Sequence, residues 1–311
     1  MDVEERIKKV FADSTSKGEA FTLFSSNHPL GIYVGYDEIG RKSMAIIMNA
    51  KHESVDSSKI INVEFNDRYD GATELLFSLT DNTFEDLFYK FCEDVIVNTF
   101  YASPDDGFAP VILRWNLWLE FFKKKNLLLS RSEIMGLIGE LLFIDNYMLP
   151  KYGMEKSMEA YIGVKKSHKD FELDETWYEV KATYNGSTSV TISSLEQLDS
   201  TRVGHLEVVF LDEATNIDSD ESISLNTIVE RVRNKLDIRD AKKFDDKMIK
   251  VGYVYNPKYD EYLFMPIAAF GYKVENGFPR LTKDMVPNGV SKAKYEIDIS
   301  SIKSFEEEAW I

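Results

Sequence analysis

Cysteine is nearly missing from this 311-residue chain, which contains Cys92 alone. A single cysteine excludes an internal disulfide. Cys92 lies in an apolar stretch typical of a buried helix position, with no histidine nearby in sequence to activate it as a nucleophile. Histidine is also scarce, with four residues in the whole chain. This small supply of sulfur and imidazole ligands argues against a structural zinc site.

Long hydrophobic runs and net positive charge are missing as well. No apolar run approaches the roughly 20 residues that a membrane-spanning helix needs, and the first residues, Met-Asp-Val-Glu-Glu, are acidic where a signal peptide would be basic. We therefore expect a cytoplasmic protein without membrane contact. The net charge of −16 opposes unaided binding to a polyanion such as DNA. An apolar content of 44% with 13% aromatic residues allows a substantial core.

The most informative segment runs from Lys165 to Thr183. Its second half, from Trp177 onward, is rich in aromatic and β-branched residues and predicts a strand. Because strand side chains alternate between faces, Glu179 and Lys181 share one face, opposite a buried face. The residues of the predicted buried face are Tyr178, Val180 and Ala182. A preceding turn of two or four residues pairs Asp170 with Glu179, with their Cβ atoms about 5 Å apart.

Two carboxylates directly across a hairpin repel each other unless a positive charge lies between them. A hard cation with oxygen ligands, most plausibly Mg²⁺, would resolve this conflict. An ordinary surface hairpin remains the alternative, because an acid followed two residues later by lysine is a common pattern. The chain has two more such patterns, at 240–242 and 245–247. Both lie in a charged run without strand character, where a solvated face is expected.

A helix is predicted upstream, over residues 131–148, from apolar residues at helical spacing. Ser130 or Ser132 is placed to cap its start. Gly136 and Gly139 lie inside it at a cost of about 1 kcal/mol each relative to alanine. A close approach to another backbone would account for them. Glu140 follows directly, and either an inward orientation or an ordinary position on the helix surface fits the pattern.

These elements together resemble a known family. A helix with Gly-x-x-Gly-Glu140, a strand with Asp170, a strand with Glu179-x-Lys181 and a following helix over 194–202 are similar to the core of the PD-(D/E)XK nuclease superfamily. The chain is particularly similar to an uncharacterised bacterial family of PD-(D/E)XK-motif proteins found among restriction and phage-defence genes. The resemblance is carried by residues 130–212. It departs from the motif at the proline, where Lys169 stands.

The resemblance implies an endonuclease that hydrolyses DNA phosphodiester bonds with Mg²⁺ or Mn²⁺. Asp170 and Glu179 would be metal ligands, Lys181 the catalytic lysine, and Glu140 a further acidic residue that assists the metal. RNA is an open alternative as the substrate. Residues near this site are candidates for DNA contacts, although solvent-facing helix polarity is the favoured explanation for the last two. The candidates are Lys165, Lys166, His168, Lys169, Gln197 and Arg202.

The acidity of the chain bears on its partners. Local clusters of lysine and arginine, or a partner subunit of a restriction-modification or phage-defence system, would reconcile it with DNA binding; a homodimer is also left open. Alternatively, the chain is a catalytically silent acidic interaction or regulatory subunit, or a DNA mimic, on the same fold. The presence or absence of a converged Asp170, Glu179 and Lys181 distinguishes the two classes.

The predicted fold class is α/β to α+β. The resemblance implies a restriction-endonuclease-like core, a mixed sheet flanked by helices, over residues 105–311. A mainly antiparallel β domain with a terminal helix is predicted over residues 1–104, with strands at 21–24, 31–35, 44–48, 60–65 and 74–78 and a helix at 83–100. Further predicted elements are a helix at 110–125, a strand at 206–211, a helix at 223–236, and strands at 250–255, 262–267 and 295–299.

Overall fold

The computed structural model describes residues 2–13, 20–50, 54–162, 168–214 and 222–311. The chain divides into two units. The first consists of Met1–Leu127 and Ile249–Val254, and the second of Leu128–Met248 and Tyr255–Ile311.

The first unit is built on a five-stranded sheet whose strands lie in the order β1-β2-β3-β5-β4. All of its neighbouring strands are antiparallel. Its elements in chain order are helix α1 (Val3–Asp13), strands β1 (Ala20–Leu23), β2 (Gly31–Tyr36), β3 (Lys42–Met48), β4 (Ile61–Asp67) and β5 (Thr73–Leu79), and helices α2 (Glu85–Asn98) and α3 (Ala109–Phe122). The five strands and two helices predicted for this region are confirmed.

Aromatic side chains fill the core of the first unit. The ring of Phe91 lies edge-on to Trp115 and Trp118, with centroid distances of 5.6 and 5.9 Å. Both tryptophans are at most 1% exposed and are packing residues of this core. Cys92 is buried in the same core, as predicted. Because α3 carries both tryptophans into this core, the chain divides after Leu127, later than the predicted boundary between residues 104 and 105.

The second unit combines helices with a mixed five-stranded sheet in the order β12-β10-β9-β7-β6. Strands β7 and β9 are parallel and the other neighbours are antiparallel. Strands β8 and β11 form a separate antiparallel pair. The elements are helices α4 (Arg131–Phe143), α5 (Leu149–Tyr152) and α6 (Met154–Ile162), strands β6 (Phe171–Glu172), β7 (Trp177–Tyr184), β8 (Ser189–Ile192) and β9 (Gly204–Glu213), helices α7 (Leu225–Arg233) and α8 (Ile238–Val251), and strands β10 (Phe264–Val274), β11 (Tyr295–Asp298) and β12 (Glu306–Ala309). The predicted mixed α/β to α+β class is confirmed.

Strand β7 lies between β6 and β9 and is covered on both faces. On one face, α4 approaches so closely that a Cβ atom added to Gly139 would lie 2.9 Å from the Cβ of Ala182. On the other face, Trp177 packs with Leu206 and Val208 of β9 in an apolar cluster that includes residues of β8 and β11. The predicted division of side chains between the two faces of β7 is confirmed. In the first half of the strand, residues 177–180, the side chains on both faces are buried.

Two predicted elements are wrong. Residues 194–202 form only a short 3₁₀ turn, Leu195–Gln197, and the Lys169 ammonium binds the Glu196 carbonyl, which a continuing helix would use. Residues 250–255 are not a strand, because α8 continues to Val251 and ends at Gly252, whose φ of 105° favours glycine.

Within the described ranges, no helix is long and apolar enough to cross a membrane. The cytoplasmic location stays a prediction.

Candidate active site

A tight hairpin brings Asp170 to the site from the start of β6. The paired residues of the two strands are Phe171 with Tyr178 and Glu172 with Trp177. The Leu173 amide donates to the Thr176 carbonyl at 2.9 Å and closes a two-residue turn. This is one of the two predicted turn lengths, and its register places Asp170 opposite Glu179. The Asp170 Oδ2 atom also accepts from the Val180 amide at 2.8 Å, which ties this carboxylate to β7.

Glu179 is completely buried, with 0% of its surface exposed. Its Oε1 atom accepts from the Lys181 ammonium at 2.6 Å. Its Oε2 atom is buried and has no hydrogen-bond partner among the described residues. Leaving such an acceptor unpaired costs about 1–3 kcal/mol, and more when it is charged. The apolar cluster around Trp177 closes the face on which the sequence pattern had left Glu179 open.

Helix α4 supplies the third carboxylate. Ser130 caps this helix and forms a reciprocal capping box with Glu133. The predicted close approach holds for Gly139, which lies against β7, whereas a Cβ atom at Gly136 would meet nothing within 4 Å. The contact of Gly139 with β7 fixes the position of the next residue, Glu140. The Tyr161 hydroxyl donates to the Glu140 Oε2 atom at 3.0 Å.

The three carboxyl groups act on one another electrostatically. Burial, together with the charge of Asp170, raises the pKa of Glu140 from 4.5 to about 8. Burial likewise raises the pKa of Asp170, although the charge of Lys181 and the Val180 amide partly oppose it. Burial and the charge of Asp170 raise the pKa of Glu179 well above its usual range. The site therefore holds more negative charge than its surroundings stabilise.

Lys181 remains a cation in this site. Burial alone would lower the pKa of Lys181, but the charges of Glu179 and Asp170 outweigh it and raise that pKa. The Lys181 side chain is 18% exposed, and its ammonium is paired with the buried Glu179. An ammonium with a raised pKa stays protonated at neutral pH. Lys181 is thus suited to stabilising negative charge and unsuited to acting as a general base.

The profile of one protein family matches residues 7–300 of the chain, and that family is described as "Putative PD-(D/E)XK family member, (DUF4420)". The chain belongs to the DUF4420 family. No curated protein and no solved structure matches the chain. Membership confirms the resemblance to the PD-(D/E)XK superfamily and suggests a nuclease.

PD-(D/E)XK nucleases generally use divalent metals such as Mg²⁺, and Asp170, Glu179 and Glu140 are the residues of this DUF4420 chain that could hold such an ion. A carboxylate metal site without its cation is expected to have unpaired acceptor atoms and raised pKa values. Both features are present here: the Oε2 atom of Glu179 is buried and unpaired among the described residues, and the pKa values of Glu140 and Asp170 are raised. Their oxygen atoms are the ligands that Mg²⁺ prefers. In the part of the chain that the structure describes, however, no three acidic, histidine or cysteine side chains form a ready-made metal cage. The ligand chemistry fits Mg²⁺, and binding would require the carboxylates to move closer to one another.

The predicted DNA-contact residues fall into three groups. Lys165 and Lys166 lie outside the described residues. His168 is exposed and two residues from Asp170. The others make local contacts: the Gln197 side chain accepts from the Ser193 amide at 2.6 Å, Lys169 donates to the carbonyls of Glu196 and Asp199, and Arg202 holds the hairpin turn through the carbonyls of Leu173 and Asp174 and the carboxylate of Glu172. Burial lowers the pKa of Lys169 to about 8.

The sequence reasoning missed two members of the site, Tyr161 and Lys247. Tyr161 is 3% exposed and donates to Glu140. The Lys247 ammonium lies over the Tyr161 ring, 4.7 Å from its centroid. Lys247 belongs to one of the two patterns assigned to a solvated face. Phe244 and Met248 are both buried, and their helical spacing could have placed Lys247 at the border of a buried face.

Proposed function

We propose that this chain is a metal-dependent endonuclease that hydrolyses DNA phosphodiester bonds. The observation that carries the proposal is the gathering of Glu140, Asp170, Glu179 and Lys181 from α4 and the β6–β7 hairpin. The Glu179 Oε2 atom is fully buried without a hydrogen-bond partner among the described residues. A buried carboxylate that lacks a partner is costly to fold, and a bound cation would remove that cost.

Asp170 and Glu179 would hold Mg²⁺, or Mn²⁺ in its place, and Glu140 would assist from α4. A bound divalent cation supplies an activated water and stabilises the charge that builds on the phosphate. The protein's own part is positional. The Val180 amide orients Asp170, and the Tyr161 hydroxyl orients Glu140. Lys181, protonated beside Glu179, would stabilise the negative charge of the transition state.

The net charge of −16 supports a role for another protein in binding the DNA. DNA affinity comes mainly from neutralised phosphates, and three of the predicted contact residues, Lys169, Gln197 and Arg202, make local contacts. We propose that a partner subunit of a restriction-modification or phage-defence system supplies much of the DNA binding. A second copy of this chain, forming a homodimer, is a simpler alternative to a different partner subunit. Lys165, Lys166 and His168, which precede Asp170 closely in the sequence, remain proposed contacts.

A second candidate function is supported by a separate observation. The Glu179 carboxylate is closed to solvent and paired with Lys181, and the described carboxylates form no ready-made metal cage. A catalytically silent, acidic interaction subunit would retain such a site as part of its core. The net charge of −16 would then serve binding to a basic partner.

Plasmid cleavage in Mg²⁺ or Mn²⁺ distinguishes the two functions. The wild-type protein is compared with Asp170→Ala, Lys181→Ala and Glu179→Gln. A matched control is Glu175→Gln, which makes the same change at the exposed turn of the same hairpin. We expect metal-dependent cleavage by wild type and control, and loss of roughly 10²-fold or more in rate with Lys181→Ala. Identical, metal-independent behaviour of all five proteins would leave the silent subunit as the function.

A further inference from the structure

Lys181, the lysine of the sequence motif, already forms an ion pair. Lys181 pairs with the Glu179 Oε1 atom at 2.6 Å, and only 18% of its side chain is exposed. The site nevertheless contains three carboxyl groups, on Glu140, Asp170 and Glu179. An approaching phosphate group would meet repulsion from those carboxyl groups that are ionised, and a further positive charge facing it would offset this repulsion.

Lys247 is a second cation near the same carboxylates. Helix α8 carries it, and the buried side chains of Phe244 and Met248, 0% and 2% exposed, anchor this part of the helix. Lys247 itself is partly exposed. Within the described part of the chain, its ammonium has no carboxylate at ion-pairing distance; its contact is the ring of Tyr161, 4.7 Å away. Lys243, one turn earlier, is by contrast paired with Asp240 at 2.9 Å.

Tyr161 links this lysine to the carboxylates. Its hydroxyl donates to Glu140 at 3.0 Å, and its ring stacks on Phe171 with a centroid distance of 5.0 Å. Phe171 directly follows Asp170 in the chain. The Tyr161 ring beneath the Lys247 ammonium is therefore held by two contacts, one to Glu140 of α4 and one to Phe171 of β6. In agreement with this placement, the charge of Lys247 partly opposes the burial that raises the pKa of both Glu140 and Asp170.

We propose that Lys247 is the substrate-facing cation of this site, held over the Tyr161 ring so that its ammonium contacts a phosphate group of bound DNA. This inference rests on the proposed nuclease function. A cation–π contact is worth about 0.5–2 kcal/mol and leaves available those N–H donors of the ammonium that do not face the ring. A phosphate oxygen offers those donors a stronger, charge-assisted hydrogen bond. Lys181 would stabilise the reacting centre, and Lys247 would bind the backbone beside it.

The test measures DNA binding against salt concentration with the full-length protein. The proteins are wild type, Lys247→Ala, Lys247→Gln, Lys247→Arg and the control Lys250→Ala, which removes an exposed lysine from the same helix. A labelled duplex oligonucleotide is titrated in Ca²⁺, an oxygen-seeking cation of the same charge. Each phosphate contact contributes about −0.9 to the slope of log K against log salt. We expect Lys247→Ala and Lys247→Gln to weaken this slope by about 0.9, Lys247→Arg to retain it, and Lys250→Ala to leave it unchanged.

Three outcomes would overturn the inference: an unchanged slope in Lys247→Ala and Lys247→Gln, an equal loss in Lys250→Ala, or no DNA binding by wild type. Plasmid cleavage by the same proteins separates this inference from the proposed function. Cleavage by wild type with an unchanged slope in the Lys247 variants refutes the role of Lys247 alone. A weakened slope without any metal-dependent cleavage supports Lys247 as a phosphate contact and refutes the nuclease. Circular dichroism spectra show that the variants compared are folded.

Discussion

Glu140 allows a direct test of the electrostatics of the site through protein stability. Its pKa is raised from 4.5 to about 8 because burial and Asp170 oppose its charged form. In the unfolded chain the same carboxyl ionises near its ordinary value. Between pH 4.5 and about 8, the folded state therefore holds a proton that the unfolded state has lost. Replacing Glu140 with glutamine keeps the shape and an acceptor for the Tyr161 hydroxyl, and it removes this proton.

The sign and size of the effect follow from proton linkage. Where the folded state binds more protons, stability falls as pH rises, by about 1.4 kcal/mol per pH unit for one group. The stabilising contribution of Glu140 is complete below pH 4.5 and is lost as the pH approaches about 8. Relative to Glu140→Gln, the metal-free wild-type protein should lose roughly 4 kcal/mol over this range.

Urea denaturation in EDTA at several pH values across this range measures the difference. Asp170, Glu179 and Glu207 also have raised pKa values, but they are present in both proteins, so most of their contribution cancels. Glu159→Gln makes the same substitution at an exposed position and serves as the control. A wild-type stability that stays parallel to that of Glu140→Gln from acid to mildly basic pH would refute the raised pKa of Glu140 in the folded state.

Three other predictions follow from the geometry. Gly139→Ala should destabilise the protein by about 1–3 kcal/mol, since the new Cβ would lie 2.9 Å from Ala182, whereas Gly136→Ala should stabilise it by up to about 1 kcal/mol because nothing lies within 4 Å. Arg202→Lys should lower the thermal midpoint almost as much as Arg202→Ala, since a single ammonium cannot reproduce the fork that holds two carbonyls and a carboxylate. Binding of Mg²⁺ at pH 7 should release about one proton, because a pKa of about 8 keeps Glu140 protonated there.

Each of these predictions has its own control. Equal stabilities of Gly139→Ala and Gly136→Ala would contradict the close packing of α4 on β7. If Arg202→Lys had a normal thermal midpoint and DNA binding were lost only in Arg202→Ala, the result would support the original prediction that Arg202 contacts DNA. Proton release is measured by calorimetry in two buffers with different heats of ionisation. A release that persists in Glu140→Gln would mean that another group gives up the proton.

The sequence predicted the hairpin well because its information is local. A two-residue turn and the alternation of side chains along one strand are enough to place Asp170 opposite Glu179. The same reasoning could not foresee that Glu179 is completely buried. That burial comes from β8, β9 and above all the distant strand β11, which together supply the apolar cluster around Trp177.

The errors at residues 194–202 have a similar origin. The pattern there fits a helix, but the Lys169 ammonium binds the Glu196 carbonyl and the Arg280 guanidinium binds the carbonyls of Leu198 and Ser200. These contacts take acceptors that a longer helix would use. Lys247 was missed because it is far from Asp170 in sequence; only the path of α8 brings them together. Local periodicity thus predicts the elements, while contacts between distant residues decide which of them complete the site.

The inaccessibility of Glu179 has a kinetic consequence. A hydrated ion would reach an oxygen that no solvent touches only when the surrounding side chains move aside. The rate of loading would then follow internal motions of the protein rather than diffusion, and unloading would require the same motions. A brief incubation with a magnesium salt would leave most molecules empty, and a brief treatment with a chelator would leave loaded molecules intact. The metal occupancy of a sample would then depend on how long it had been exposed to the ion or chelator as well as on the ion concentration.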